Sequence, residues 1–165
     1  MKQYFYFSIN FDKLTKDILS RWIEGTTGRK YINLYNSIDK NFIAFGNEHT
    51  VFRLPASLFP FDYEKLLTTQ NIRDFRNMVT DKFFDYATLR PQLTQVAIKS
   101  LDTVKSGAHF VILGNDNFDI AIDKKYFDYV NINNATFFAK SPTEPLYITR
   151  GEEIDGIILP VKIND

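Results

Sequence analysis

Cysteine is absent from the 165 residues. That excludes disulfides, thiolate nucleophiles and cysteine-ligated zinc, and it favours a reducing compartment. Histidine occurs only twice, at His49 and His109, and neither has the i, i+4 partner that a helical metal site uses. Glycine numbers 7, with no phosphate-cradling run, and the turn Gly114-Asn115-Asp116-Asn117 lacks the spacing of a calcium loop. Net charge is zero, from 20 basic and 20 acidic residues, which is not the profile of a protein that coats nucleic acid. No apolar run approaches a membrane span, and the opening MKQYFYFSINFDK places charges inside what would have to be a signal core. The carboxylates Glu152, Glu153 and Asp155 fall between Gly151 and Gly156, which reads as a solvated hairpin turn rather than an enclosed acid pair. The expectation is a soluble, cytoplasmic protein with no membrane partner, no cofactor, no metal and no catalytic residue.

Aromatic residues are abundant, with 16 Phe and 9 Tyr, and they suit half-buried strands better than a stacking platform for bases. Residues 4–10, YFYFSIN, alternate like a strand with Phe5, Phe7 and Ile9 on the core face. An amphipathic helix follows, with Asp12 as N-cap, Leu14, Ile18 and Trp22 as the buried stripe, and Lys13, Lys16 and Arg21 off it. Tyr31–Tyr35, Asn41–Phe45 and Thr50–Leu54 read as a three-stranded meander. The last third repeats this order: FDIAID as a strand, KKYFDYV as a short helix, then strands in ATFFAKS, PLYITR and IDGIILPVKI. A β-α-β-β-β unit therefore occurs twice, over 1–60 and 107–165.

Between the two units the period turns helical. Ile72, Phe75, Val79 and Phe83 make one stripe, and Leu93, Ala97, Leu101 and Val104 make another after Pro91 at a first helical position. The expectation is a helical insert over 61–106, of two helices joined near Leu89 and ended by Ser106-Gly107. The fold class is then α+β in a single domain, with the helices of both units on one side of an antiparallel sheet.

The segment FDIAIDKKYFDYV with PTEPLYITRGEEIDGIILPVKI resembles the closing part of the bacterial DNA-polymerase sliding clamp family, where a strand leads into a short helix and the final strand reads apolar-Pro-apolar-basic-apolar. Here that strand is Leu159-Pro160-Val161-Lys162-Ile163. KNFIAFGNEHTVFRLPASLFPFD resembles the second half of a clamp domain, and together the two stretches span about two thirds of the chain. The resemblance implies a DNA-clamp-like fold and a non-enzymatic factor of DNA replication or repair, of a reduced size suggestive of a phage or mobile element. Family chains carry three such domains and two chains close a ring, whereas these 165 residues suffice for one. Either several copies form a homo-oligomer, or the chain is a clamp-fold interaction module, such as a decoy or inhibitor, that does not encircle DNA.

Two surfaces follow from the resemblance. A ring slides on duplex DNA by offering positive charge to phosphates from the helices lining its hole, and the matching residues are Lys13, Lys16, Arg21, Lys124 and Lys125. Asp12, Asp17, Asp123 and Asp128 dilute that charge. The second surface is an apolar cleft for clamp-binding peptides of polymerase or repair proteins, to which Ile157, Leu159, Pro160 and Val161 correspond. The family's usual methionines stand at the places of Leu159 and Val161, and stubbier side chains make such a groove less adaptable. An edge strand closing the sheet is the competing reading of the same residues.

Overall fold

The structure is a computed structural model, and it describes residues 7–17, 32–37, 40–59, 62 and 72–162. It is an α+β fold built on a 10-stranded sheet in the order β4-β1-β2-β3-β10-β9-β8-β5-β6-β7. The strands are β1 (Ile32–Asn36), β2 (Phe42–Gly46), β3 (Thr50–Pro55), β4 (Ile72–Val79), β5 (Thr94–Lys105), β6 (Ala108–Gly114), β7 (Asp119–Asp123), β8 (Thr136–Ala139), β9 (Leu146–Arg150) and β10 (Glu153–Ile158). The described helices are short: α1 (Phe11–Asp17), α2 (Tyr86–Leu89) and α3 (Lys124–Phe127), with 3-10 turns beside α2. None of them is long and apolar enough to cross a membrane.

Both meanders expected from alternation form. β1, β2 and β3 pair antiparallel in sequence, as do β8, β9 and β10, and β3 meets β10 antiparallel at the centre. The middle of the sheet therefore reads the same from either end, β1-β2-β3 against β10-β9-β8. Among the ladders of the described residues only β1–β4 is parallel.

Alternation along β3 buries Thr50, Phe52 and Leu54 on one face and leaves Val51 and Arg53 on the other. The first face carries the main core, in which Phe11 and Leu14 of α1 join Tyr126 and Phe127 of α3 over Phe45, Phe52, Ile148 and Ile158. Helix α1 also touches the residues that follow α3. Lys13 Nζ donates to the Asp128 carbonyl at 3.4 Å, and the Tyr129 hydroxyl donates to the Asp17 carboxylate at 3.1 Å. The second face holds a smaller cluster of Ala44, Phe84 and Ile154, covered by the segment Asp81–Gln92. Beyond β10 the chain turns aside, and Val161 N donates to the Ala121 carbonyl of β7 at 2.9 Å. The far edge of the sheet is thereby curled back toward the C-terminal strand.

Among the described residues, the helical insert expected over 61–106 is not what forms. Residues 72–79 and 94–105 are strands β4 and β5, and among the described residues of that stretch only α2 and its flanking 3-10 turns are helical. The reason lies in bulges. On β5 the register shifts between Ile98 and Ser100 and again between Ser100 and Thr103, so Ser100 and Thr103 oppose Ile112 and Phe110, which are two apart. Each bulge stretches the interval between same-facing residues from two to three, which imitates helical spacing in the sequence. On β4 the register runs Tyr35–Phe75 and then Asn36–Val79, so Phe75 and Val79 are likewise set apart by an irregularity. Ile72 belongs to the main core while Phe75 stacks on Tyr35 at 5.7 Å, so that stripe does not share one face. Ser106-Gly107 is the turn of the β5–β6 hairpin, with φ of 54° and 80°, as a two-residue primed turn requires.

Three smaller expectations are also corrected. Helix α1 is capped by Asn10, whose Oδ1 accepts from Lys13 N at 3.1 Å, and not by Asp12. Ser8 is fully buried although alternation placed it opposite Ile9. Asp155 is not in a solvated turn: it is 3% exposed at a bulge in β10. Its carboxylate accepts from Ser8 N (3.0 Å), Ser8 Oγ (2.7 Å), Arg150 Nε (3.2 Å) and Arg150 Nη2 (3.3 Å). This clasp ties the N-terminal segment to β9 and β10, and it explains how a polar serine and a carboxylate can both be buried. Ile18, Arg21 and Trp22 lie outside the described residues.

Candidate functional site

A cleft of about 420 Å³ opens on the sheet face away from α1 and α3. Its floor is Val51 of β3, Tyr147 of β9 and Ile157 of β10, adjacent strands whose alternation sends these side chains to the second face. Thr80, Phe83 and Phe84 form one wall, and the β2–β3 turn with Glu48 and His49 forms the other. Tyr35, Pro145 and Leu159 complete it.

Each wall is held by identifiable contacts. Arg53 projects from β3 between two rings, 4.2 Å from the Phe42 centroid and 4.9 Å from that of Phe84, and pairs with Glu153 at 3.2 Å. Burial lowers the Arg53 guanidinium pKa, and the carboxylates of Glu153, Asp155 and Asp81 oppose that shift. The sandwich fixes Phe84, and the adjacent Phe83 is left 50% exposed at the cleft. Farther along the same segment, the Arg90 guanidinium lies 4.6 Å from the Phe138 ring and Tyr86 meets that ring edge-on, which anchors the cover to β8. In the opposite wall, Asn47 Oδ1 accepts from His49 N at 2.8 Å and Thr50 N at 3.2 Å, and its Nδ2 donates to the Tyr126 hydroxyl at 3.0 Å. Gly46 begins this turn because a Cβ there would stand 1.9 Å from the Thr50 carbonyl oxygen.

The C-terminal residues expected to line a groove divide. Ile157 and Leu159 line the cleft, and Leu159 is 44% exposed while its neighbour Ile158 is fully buried in the main core. Leu159 N donates to the His49 carbonyl at 2.8 Å, which continues the β3–β10 ladder one step past the strand. Pro160 and Val161 are outside the lining, because the chain turns toward β7 there.

The cleft is apolar with a few hydroxyls. Thr80 is 7% exposed, and the hydroxyls of Tyr35, Thr80 and Tyr147 have no hydrogen-bond partner among the described residues. Burial, and secondarily the Glu144 carboxylate, raises the Tyr147 phenol pKa, so it stays a donor at neutral pH. Charge at the mouth is sparse: Glu48 lies 3.4 Å from His49, and Lys82 sits 5.0 Å from the Phe83 ring centroid.

The lysines expected to face DNA come together on the helix side, yet each described one has a local contact. Lys124 pairs with Asp128 at 2.7 Å, which raises its pKa, and Lys125 lies 3.7 Å from Asp123 and 5.0 Å from the Tyr126 ring. Lys13 reaches Tyr129 and the Asp128 carbonyl, and Lys16 is exposed on α1 beside Asp17. The two histidines stand apart: His109 Nδ1 is 2.7 Å from Asp102 on the β5–β6 hairpin. Among the described residues no three His, Cys, Asp or Glu side chains gather as metal ligands would.

Of the residues lining this cleft, the sequence points to Ile157 and Leu159 and not to Tyr35, Thr80, Phe83 and Tyr147. The only signal for them is the alternation of β1 and β9, since Thr80 and Phe83 come from the segment read as helix. No family model matches the chain, and no curated protein and no solved structure gives a significant match.

Proposed function

We propose that this protein is a non-enzymatic, sliding-clamp-like factor of DNA replication or repair that holds an apolar peptide segment of a DNA-processing protein, and that it does so as an interaction module without encircling DNA. The observation that carries this reading is the cleft beside the C-terminal strand, with Ile157 in its floor and Leu159 at its mouth. Its volume of about 420 Å³ and mostly apolar, aromatic lining suit one or two large side chains. The mirrored strand order β1-β2-β3-β10-β9-β8, with α1 and α3 in one core, supports a clamp-type fold, in which an Ile9–Val130 bridge stands before α1 where the first unit's opening strand was expected. The balance of Lys13, Lys16, Lys124 and Lys125 by Asp12, Asp17, Asp123 and Asp128 favours the module over the ring, because sliding on duplex needs net positive charge facing phosphates.

Two alanine variants test the reading. Leu159→Ala should lower affinity for capped peptides with adjacent Leu and Phe while costing about 1 kcal/mol of stability or less, since the side chain is half exposed. Ile158→Ala should cost about 2 to 5 kcal/mol by leaving a core cavity. A parent protein that binds no such peptide at high micromolar concentration, with a Leu159→Ala variant that melts far below it, contradicts the proposal and makes the strand purely structural.

A further inference from the structure

We infer that the cleft selects an internal, extended peptide segment, seating a large apolar side chain against Phe83, Phe84 and Ile157 while the segment's main-chain carbonyls accept from the hydroxyls of Tyr35, Thr80 and Tyr147. The inference rests on the reading of the cleft as a peptide groove and goes on to name what the groove recognises. It begins with an imbalance in the protein alone. Thr80 is 7% exposed at the cleft wall and its hydroxyl has no partner among the described residues, and a buried hydroxyl left unpaired is costly. Other buried hydroxyls are satisfied: Thr149 Oγ1 donates to the Thr136 carbonyl at 3.0 Å, and Ser8 Oγ to Asp155 at 2.7 Å. Two phenols that are only partly buried, Tyr35 and Tyr147, also have no hydrogen-bond partner among the described residues and line the same cleft.

Hydroxyls that donate select acceptors, and the choice lies between an anionic group and a neutral carbonyl. Glu48 lines the cleft beside His49, Glu144 is paired with Lys140, and Lys82 is held against the Phe83 ring, so the cleft offers an anion no unpaired cluster of positive charge. A main-chain carbonyl carries no charge and recurs along an extended segment on either side of an anchoring side chain. Apolar surface then supplies affinity, and the hydroxyls fix register.

The test measures binding of a panel of acetylated, amidated peptides Gly-Ser-X-X-Ser-Gly, with X drawn from Leu, Phe, Ile and Met, to the full chain and to Thr80→Val, Tyr35→Phe, Tyr147→Phe and Leu159→Ala. Thr80→Val and Tyr147→Phe should each weaken the best peptide by about five- to tenfold, the factor corresponding to one net hydrogen bond. Their melting temperatures should stay level or rise, because the hydroxyl removed has no partner among the described residues, and this combination is one that a structural role would not produce. The same peptide shortened to end in a free carboxylate at the second X should bind more weakly than its amide. If Leu159→Ala weakens binding but the hydroxyl variants bind as the parent does, or the free acid binds more tightly, the carbonyl inference is wrong and the groove stands. If no peptide binds and the parent self-associates in a way that Leu159→Ala abolishes, a second copy fills the cleft and both readings fall.

Discussion

Asp155 shows how one residue can set a site it does not enter. Its carboxylate takes four hydrogen bonds from Ser8 and Arg150, and the bulge it occupies turns both Asp155 and Gly156 toward the main core. Ile157 is thereby sent to the second face and Ile158 to the first, so the bulge decides which of two isoleucines meets the cleft. Asp155→Ala should cost about 3 to 5 kcal/mol in chemical denaturation, because it leaves a partly buried guanidinium and a buried serine without their acceptor. Gly156 is required by a close approach: a Cβ there would lie 2.9 Å from Phe52 Cδ1 and 3.2 Å from Ile9 Cδ1, both in fully buried side chains. Gly156→Ala should therefore destabilise by about 1 to 3 kcal/mol without changing what lines the cleft. A variant as stable as the parent would mean that Phe52 can move aside at no cost.

Among the elements, the two meanders were legible in the sequence because their strands are short apolar runs bounded by turn residues, with alternation clearest in β3. Thr50 to Pro55 is buried at every second residue, and Leu146 to Arg150 carries Leu146 and Ile148 into the core. The strands β4 and β5 were not legible, for a physical reason. Bulges in β5 set same-facing residues three apart, and the hairpin runs past the core so that Leu101 and Val104 stay exposed, leaving no burial pattern to separate strand from helix. The cleft inherits this division: Ile157 and Leu159 come from a readable strand, whereas Thr80, Phe83 and Phe84 come from a turn inside the misread stretch. The helix side makes its own prediction. Since Lys124 and Lys125 lie beside Asp128 and Asp123, duplex DNA should bind weakly if at all at physiological salt, and Lys16→Glu with Lys125→Glu should change little. Electrophoretic shift at two salt concentrations checks it. Tight, salt-sensitive and sequence-independent binding that both reversals abolish would restore the ring.

For the whole molecule, the sheet separates two surfaces of different character. One face is closed by the main core with α1 and α3 and carries balanced charge; the other is half covered by the segment Asp81–Gln92 and leaves an aromatic cleft open. The proposed module needs only one copy of the chain, so sedimentation at working concentration should return a single species near 19.3 kDa. The most direct test of the account is a backbone amide NMR titration with the capped Leu-Phe peptide, which at this size reports every site at once. Shifts should concentrate at Val51, Phe83, Tyr147, Ile157 and Leu159, on the open face. Shifts confined to Lys13, Lys16 and Lys124 on the helix side, or none at high micromolar peptide, would contradict the claim that this cleft is the working surface.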